Sequence, residues 1–465
     1  MNKNNAWGGV TYSKGFTLIE LLAVIVILAI IALIATPIVL DIIEDSKESA
    51  NIQSINSLVH MAEIYATTNE TTGNLYDKVI DKIKGTKPDN GVVYVNKKGE
   101  VALALKYNNK CYVKAYDSNK ITQSKNEECI VPVDYLMAIG NINGDQVKVF
   151  NSDIERSKIE RVITVSTNEV PNDVIGSFDV SEKQNGSIMA WYKDEDSNGL
   201  YELYIGQDGG VKANPDSLKL FFRYSNVISL NLSNLDTSNV TNMQQMFQRC
   251  ENLQTLDLST FDTFNVTSME AMFSLCGKLE QLNISNFNTT NVVNMEAMFQ
   301  KCLSLKHLDL SNFDTRNVIS MSAMFNGCSN LLYLDVSSFN TSKVENMHYM
   351  FAFCKSLNSL DVSSFNTSNV IDMSGIFGEC KSLEILNLNN FDTSKVTNID
   401  YMFNGTINLK TVNMNKANFS KVTTHTYTFS ESGVTSIIVK DETAKTFIEA
   451  RLLDASITGT AVTIG

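Results

Sequence analysis

The sequence is short of the features that mark several large function classes. Basic residues are outnumbered: 38 Lys and Arg stand against 51 Asp and Glu, for a net charge of −13. Without Lys and Arg clusters the chain is not expected to take nucleic acid as a direct partner, because phosphate binding needs concentrated positive charge. Eight cysteines in 465 residues are too few for a small disulfide-dense scaffold. Histidine is scarcer still, with four scattered residues. There is no G-x-S-x-G, no H-E-x-x-H and no phosphate-binding P-loop, hence no nucleophile–base constellation. The expectation is a protein that is not an enzyme, with no cofactor and no metal site. What is present is apolar material, 43% of residues against 19% charged, which excludes a wholly disordered chain. The length predicts two to four domains.

The apolar residues are unevenly spread. Residues 16–40 are apolar except for Thr17, Glu20, Thr36 and Pro37. As a helix, 25 residues would span about 37 Å, enough to cross a bilayer with tilt. A secretory signal has a shorter apolar stretch and no carboxylate near its start. A charge at that depth needs a partner. Lys14-Gly15-Phe16-Thr17-Leu18-Ile19-Glu20 resembles the type IV prepilin processing motif. That resemblance implies cleavage after Gly15 by a prepilin peptidase on the cytoplasmic side and N-methylation of the new N-terminal Phe16. It also implies that Glu20, then the fifth residue, pairs with the N-terminal amine of a neighbouring pilin subunit, so that the carboxylate sets assembly register while offsetting its own desolvation. Pro37 falls where many pilins carry a kinking proline. Lys3 and Lys14 fit a cytoplasmic leader.

Beyond residue 40, Ile52, Ile55, Leu58, Val59, Ala62 and Tyr65 recur at three- and four-residue spacing. They predict a continuing amphipathic helix that ends near Thr71-Thr72-Gly73. Strands are predicted at 92–95, 101–105 and 111–113, separated by turn clusters at 87–91, 97–99 and 108–109. An antiparallel sheet packed on the helix follows. Cys111 and Cys129 are the only cysteines outside the repeats, and an exported location makes them a candidate disulfide.

From about residue 225 the chain repeats with a period of 26. Cys250, Cys276, Cys302, Cys328, Cys354 and Cys380 keep that spacing, as do the phenylalanines from Phe247 to Phe429 and the threonines from Thr237 to Thr393. One unit reads as an L-x-x-L-x-L strand (Leu253, Leu256, Leu258), a turn, and a short helix. The helix would be capped by the Asn, Ser or Asp column (Asn242, Ser268, Asn294, Ser320, Asn346, Asp372, Asn398) and would present Met243, Met246, Phe247 and Cys250 on one face. Stacked units would bury both apolar faces in a β/α solenoid of about eight turns. The units, for example Leu308-Asp309-Leu310-Ser311-Asn312-Phe313-Asp314-Thr315, resemble the BspA-type leucine-rich repeats of bacterial surface proteins. That resemblance implies extracellular recognition of a protein or glycan without a fixed ligand. The segments 189–210 and 214–217 resemble the lead-in to such repeats.

Three columns carry candidate chemistry. The cysteines could be disulfides, metal ligands or core; a helix spacing of about 8–10 Å would exceed disulfide reach, which favours core. The column Asp257, Asn283, Asp309, Asp335, Asp361, Asn387 and Asn413 is expected to face solvent, as a calcium ladder or, preferably, a solvated acidic face. The neighbouring column varies most, and His307, Tyr333 and Ile385 are its candidate ligand contacts. Asp194-x-Asp196-x-Asn198-Gly199 resembles the start of an EF-hand loop, but its twelfth position is Ile205, so a hairpin turn is the preferred reading.

The expected class is α+β multidomain. The boundaries are a leader at 1–15, a long pilin helix at 16–73 that spans the membrane over 16–40, a β head at 74–135, a β-rich lead-in at 136–224, the repeats at 225–440 and a C-terminal cap at 441–465. The expected function is that of a minor or tip-located type IV pilin-like surface protein, membrane-anchored before assembly and then displayed for adhesion. The alternative is a pseudopilin of a secretion or DNA-uptake machine.

Overall fold

A computed structural model describes residues 18–69, 73–83, 85–95, 101–114, 120–124, 129, 148–150, 152–181 and 186–465. The chain divides into two compact units, Met1–Pro132 and Val133–Gly465.

In the first unit, helix α1 (Leu18–Asn69) is followed by strand β1 (Gly73–Asn74), the short helix α2 (Tyr76–Val79) and strands β2 (Asn90–Val95), β3 (Val101–Tyr107), β4 (Lys110–Lys114) and β5 (Thr122–Gln123). The strands form one antiparallel sheet in the order β1-β2-β3-β4-β5. Ile55, Leu58, Ala62 and Ala66 of α1 are buried against Val93, Val101, Leu103 and Leu105. Their spacing of three or four residues puts them on one stripe. Asn108 and Asn109, with φ of 47° and 66°, make the two-residue turn between β3 and β4, the backbone a tight hairpin demands. Cys111 and Cys129 are joined by a disulfide, their Cα atoms 5.3 Å apart.

The second unit opens with a mixed sheet, order β11-β6-β9-β8-β7, built from β6 (Ile159–Val165), β7 (Gly176–Asp179), β8 (Met189–Lys193), β9 (Tyr201–Gly206) and β11 (Ser229–Asn231). β10 (Val211–Lys212) pairs in parallel with β12 (Leu235–Asp236). In the repeats β13 (Thr255–Asp257) pairs in parallel with β14 (Gln281–Asn283). At the end, β15 (Ile385–Asn387), β16 (Thr411–Met414), β17 (Ser436–Val439) and β18 (Ala461–Ile464) form a parallel sheet. Helix α3 (Glu442–Asp454) connects the last two strands, its start capped by Asp441, which accepts the Ala444 N–H. One core runs from Val149 to Leu452.

This overturns the expected class. The described chain is mostly short strands in several small sheets, not a long pilin helix followed by a β/α solenoid. Among the described side chains of α1, the buried ones lie between Asn51 and Ala66. Among the described residues no helix is long and apolar enough to cross a membrane, so the span expected over 16–40 is not shown.

The helix expected in each 26-residue unit is absent, and the backbone shows why. Gln245 and Arg249 have φ of 57° and 64°, and the equivalent pairs recur down the chain, as at Ala271 and Leu275 or Ala297 and Lys301. Two left-handed residues four apart break any α-helix. The segment is instead a run of turns. The N–H groups of Met246, Gln248 and Cys250 donate back three residues to Met243, Gln245 and Phe247. Those of Met243, Gln245, Phe247 and Arg249 donate across to the carbonyls of Ser268, Glu270, Met272 and Ser274 in the next unit, at 2.8–3.0 Å. The left-handed conformation costs about 1–2 kcal/mol at each non-glycine residue, and these cross-unit bonds offset it. The column expected to cap helices caps nothing helical. It forms parallel bridges from Asp216 through Asn242 and Ser268 to Thr424, and its side chains close local turns, as where Asn242 Oδ1 accepts the Gln244 N–H.

Three buried ladders bind unit to unit. Phenylalanine rings from Phe221 to Phe429 stack with centroids 5.2–6.0 Å apart. In the column from Thr237 to Thr393 each buried threonine hydroxyl donates to a carbonyl of the next unit and most accept an N–H from the same residue: Thr315 donates to Asn340 at 3.0 Å and accepts from it at 2.7 Å. Each cysteine donates its S–H to the carbonyl 29 residues back, as Cys302 does to Phe273. The six thiols are free and buried. Helix spacing therefore does not keep them apart; parallel ladders repeat every ~4.8 Å, and the thiol hydrogen bond and burial account for their state. Burial pushes Cys328 and Cys380 up to about 12.

The first turns of the stack are closed by Arg156, which is fully buried. Its guanidinium donates to the carbonyls of Lys148 and Phe222 and lies 5.3 Å from the Tyr224 ring centre.

Two outcomes are expected. Thr315→Val should lower stability by about 1–3 kcal/mol, because the Asn340 N–H and carbonyl both lose their buried partner; Thr315→Ser should lose much less. A urea titration that finds the valine variant unchanged contradicts the ladder's role. Iodoacetamide should leave all six repeat cysteines unlabelled in the native protein and label them in denaturant; rapid native labelling of Cys302 would show that the thiols are not sealed.

Candidate functional site

The N-terminal processing residues Gly15 and Phe16 lie outside the described residues. Glu20 falls within the helical span of α1, but its side chain lies outside them as well.

The exposed face of the repeats follows directly from strand alternation. In the unit of β13, Leu256 and Leu258 point inward while Thr255 and Asp257 are exposed. Thr255 stands beside Gln281 and Ile385 beside Thr411 in parallel register. His307, Tyr333 and Ile385 belong to this column and all are exposed, Tyr333 at 57% and Ile385 at 64%. His307 and Tyr333 are one unit apart, and Ile385 is two units beyond Tyr333, about 10 Å at ladder spacing. The three share a surface but do not converge on a cavity. The column offers exposed side chains of varied chemistry for contact.

The adjacent acidic column has a structural task. Asp257, Asp309, Asp335 and Asp361 each accept the N–H of the serine two residues on, at 2.9–3.0 Å. Asn283 does the same for Ser285. Hydrogen bonds from those serines hold the four carboxyls below their ordinary value. The ladder thus stabilises negative charge with local donors. Among the described residues no group of three or more His, Cys, Asp or Glu is placed to hold a metal ion. The Asp194–Gly199 loop is a turn in which both Asp194 oxygens accept backbone N–H groups, from Asn198 and Gly199.

Sequence reasoning missed an aromatic row on the turn segment. Tyr349, Gly375, Tyr401 and Tyr427 occupy one column, all with positive φ of 52–59°. The Tyr349 ring lies over Gly375, where a Cβ would come within 2.7 Å of it. The Tyr401 and Tyr427 rings meet at 5.3 Å and are 37% and 58% exposed. Their 26-residue spacing was visible, but on a helix their place beside the core face gave no reason to single them out. Tyr427 also lines a cavity of about 430 Å³ between the last turns and α3, with His425, Thr428, Arg451, Asp454 and Ser456.

Residues 11–36 match the prokaryotic N-terminal methylation motif. The chain carries a pilin-type methylation signal. The matched stretch contains Gly15, Phe16 and Glu20. Residues 216–334 and again 330–438 are similar to a family described as Mycoplasma protein of unknown function, DUF285, whose matches cover the repeats. No curated protein and no solved structure matches the chain. The likeness of the repeats to BspA-type proteins is not among these matches.

The lowered carboxyls set an acid dependence. A group whose folded pKa is depressed contributes its full stability above its unfolded value and loses it as pH falls through the folded one. The melting temperature should therefore hold from pH 7 to pH 5 and fall below about pH 4. Replacing Asp309, Asp335 and Asp361 together by Asn, the residue already at 283 and 387, should keep the turns and flatten the acid limb. An acid limb unaltered in that triple variant would assign acid loss to other groups.

Proposed function

We propose that this chain is a minor or tip-located, type IV pilus-associated surface protein that carries its repeats outward for adhesion or partner recognition. The observation that carries the reading is the union, on one chain, of a methylation motif with a stack whose core is monotonous and whose exposed column is varied. The motif class suggests interaction with other pilin subunits and with the processing peptidase. On this reading the peptidase cuts after Gly15, Phe16 is methylated, and the protein stays anchored through its apolar N-terminal segment until it is assembled. Glu20 then pairs with the N-terminal amine of a neighbouring subunit, a contact whose attraction grows in apolar surroundings and offsets part of the cost of desolvating both charges.

The resemblance of the repeats to those of BspA-type surface proteins supports recognition as their task. A varied column on a constant scaffold also favours it, since changes at Thr255, Gln281, His307, Tyr333, Ser359 and Ile385 leave the core untouched. No catalytic role is proposed.

Two arms test the reading. Antibody against the repeats should label filaments at the tip or sparsely along the shaft; processed protein absent from every filament would instead favour a pseudopilin. Glu20→Ala should cut incorporation by about tenfold or more while processing continues, as expected of an apolar-phase charge left without its partner. Unimpaired incorporation of that variant would remove the role assigned to Glu20.

A further inference from the structure

We propose that the Tyr401–Tyr427 face and the cavity beside it form a carbohydrate-binding site that takes a neutral hexose unit of a surface glycan. The inference rests on the display reading above and gives it a ligand class and a place.

Tyr401 and Tyr427 sit one unit apart in the ladder, and their rings touch at 5.3 Å while remaining open to solvent. Both backbones are in the left-handed region; the Tyr401 N–H donates to the Thr426 carbonyl, and the carbonyls on either side of Tyr427 accept from Tyr401 and Phe403 of the preceding unit. The backbone so places the two ring contacts side by side as one exposed aromatic surface. Aromatic faces present electron-rich surface to the polarised C–H bonds of a sugar ring, and a tyrosine hydroxyl adds a polar edge.

The cavity that Tyr427 borders, at about 430 Å³, lies in the range of small-ligand sites. It holds one or two sugar rings, whereas a folded protein partner needs an interface of about 1,000 Å² or more.

Arg451 Nε donates to Asp454 Oδ2 at 2.8 Å, and the guanidinium is held over the Phe447 ring at 5.0 Å. The pair offers fixed donors and acceptors side by side, the pattern that adjacent hydroxyl groups on a sugar satisfy. Its charges cancel, which favours a neutral sugar over a carboxylated one. His425, edge-on to Phe447 at 5.9 Å, and Ser456 complete the rim. Binding here forms and breaks no covalent bond.

The test uses the full chain and immobilised oligosaccharides of glucose, galactose, mannose and N-acetylglucosamine, with a sialylated oligosaccharide as the acidic comparison, read by surface plasmon resonance. At least one neutral oligosaccharide should bind. Tyr427→Ala should weaken it about tenfold or more, while Tyr427→Phe, which keeps the ring, should stay within about threefold. Asp454→Ala should also weaken it, with an unchanged melting temperature for the exposed Tyr427 variants showing that the fold is intact. The proposal is overturned if no neutral oligosaccharide binds, if only the sialylated one does, or if Tyr401→Ala and Tyr427→Ala both bind normally. Sugar binding by a protein that antibody never finds on filaments would support the site and sink the display reading. Filament labelling with no sugar binding would do the reverse.

Discussion

Everything in the repeat region depends on hydrogen bonds that each unit cannot make for itself. In the turn segment every second N–H is handed to the following unit, and the hydroxyls of the buried threonines are handed on in the same direction. A single unit would leave these groups buried and unpaired or exposed to water, so no unit is a folding entity alone. The 26-residue period is the consequence: a donor at one position finds its acceptor only if the next unit returns to the same height with the same residue type. The two ends need separate solutions. Arg156 supplies donors to carbonyls at the start of the stack, and strands β17 and β18 with helix α3 continue the parallel sheet where the repeats stop.

The same constraint divides the residues into those that cannot vary and those that can. Phe, Thr and Cys occupy ladders in which each side chain touches its own equivalent or the backbone of the neighbouring unit, so a change at one is felt at two junctions. The positions that point outward from the strands have no such tie. Between the two lies the acidic column, exposed yet held to Asp or Asn, because those side chains close the turn two residues on more strongly than Ser or Thr would.

Much of this was legible in the residues. The period, the inward Leu positions and the outward columns follow from spacing alone, and the apolar stripe Ile52–Tyr65 marked the part of α1 that packs on the sheet. The secondary structure of the turn segment was not. Met243, Met246, Phe247 and Cys250 satisfy a helical stripe, and they satisfy a run of turns equally well, since both bring every third or fourth residue to one side. The residues that decide between them, at the columns of Gln245 and Arg249, are mostly Ala, Tyr, Leu, Lys and Glu, which on propensity alone favour helix over a left-handed turn. Only Gly327, Gly375 and Gly405 hint at the true backbone, and a glycine in a few of many copies reads as noise. The exposed tyrosine row was lost with the helix, because its prominence depends on the turn geometry. At the other end of the chain, the methylation motif could be recognised without any geometry, since its signal is the order of residue types from Lys14 to Glu20.

Because every junction between units is made by the same set of bonds, the number of units is not written into any one of them. A gene rearrangement that inserts or removes a whole block of 26 codons between, say, Thr289 and Thr315 would leave each remaining junction with its donor, its acceptor and its stacked ring. A rearrangement of any other length would break one. The fold therefore lets a lineage lengthen or shorten this region in whole steps, carrying fresh side chains on the exposed column with each added copy, without first having to solve the folding problem again.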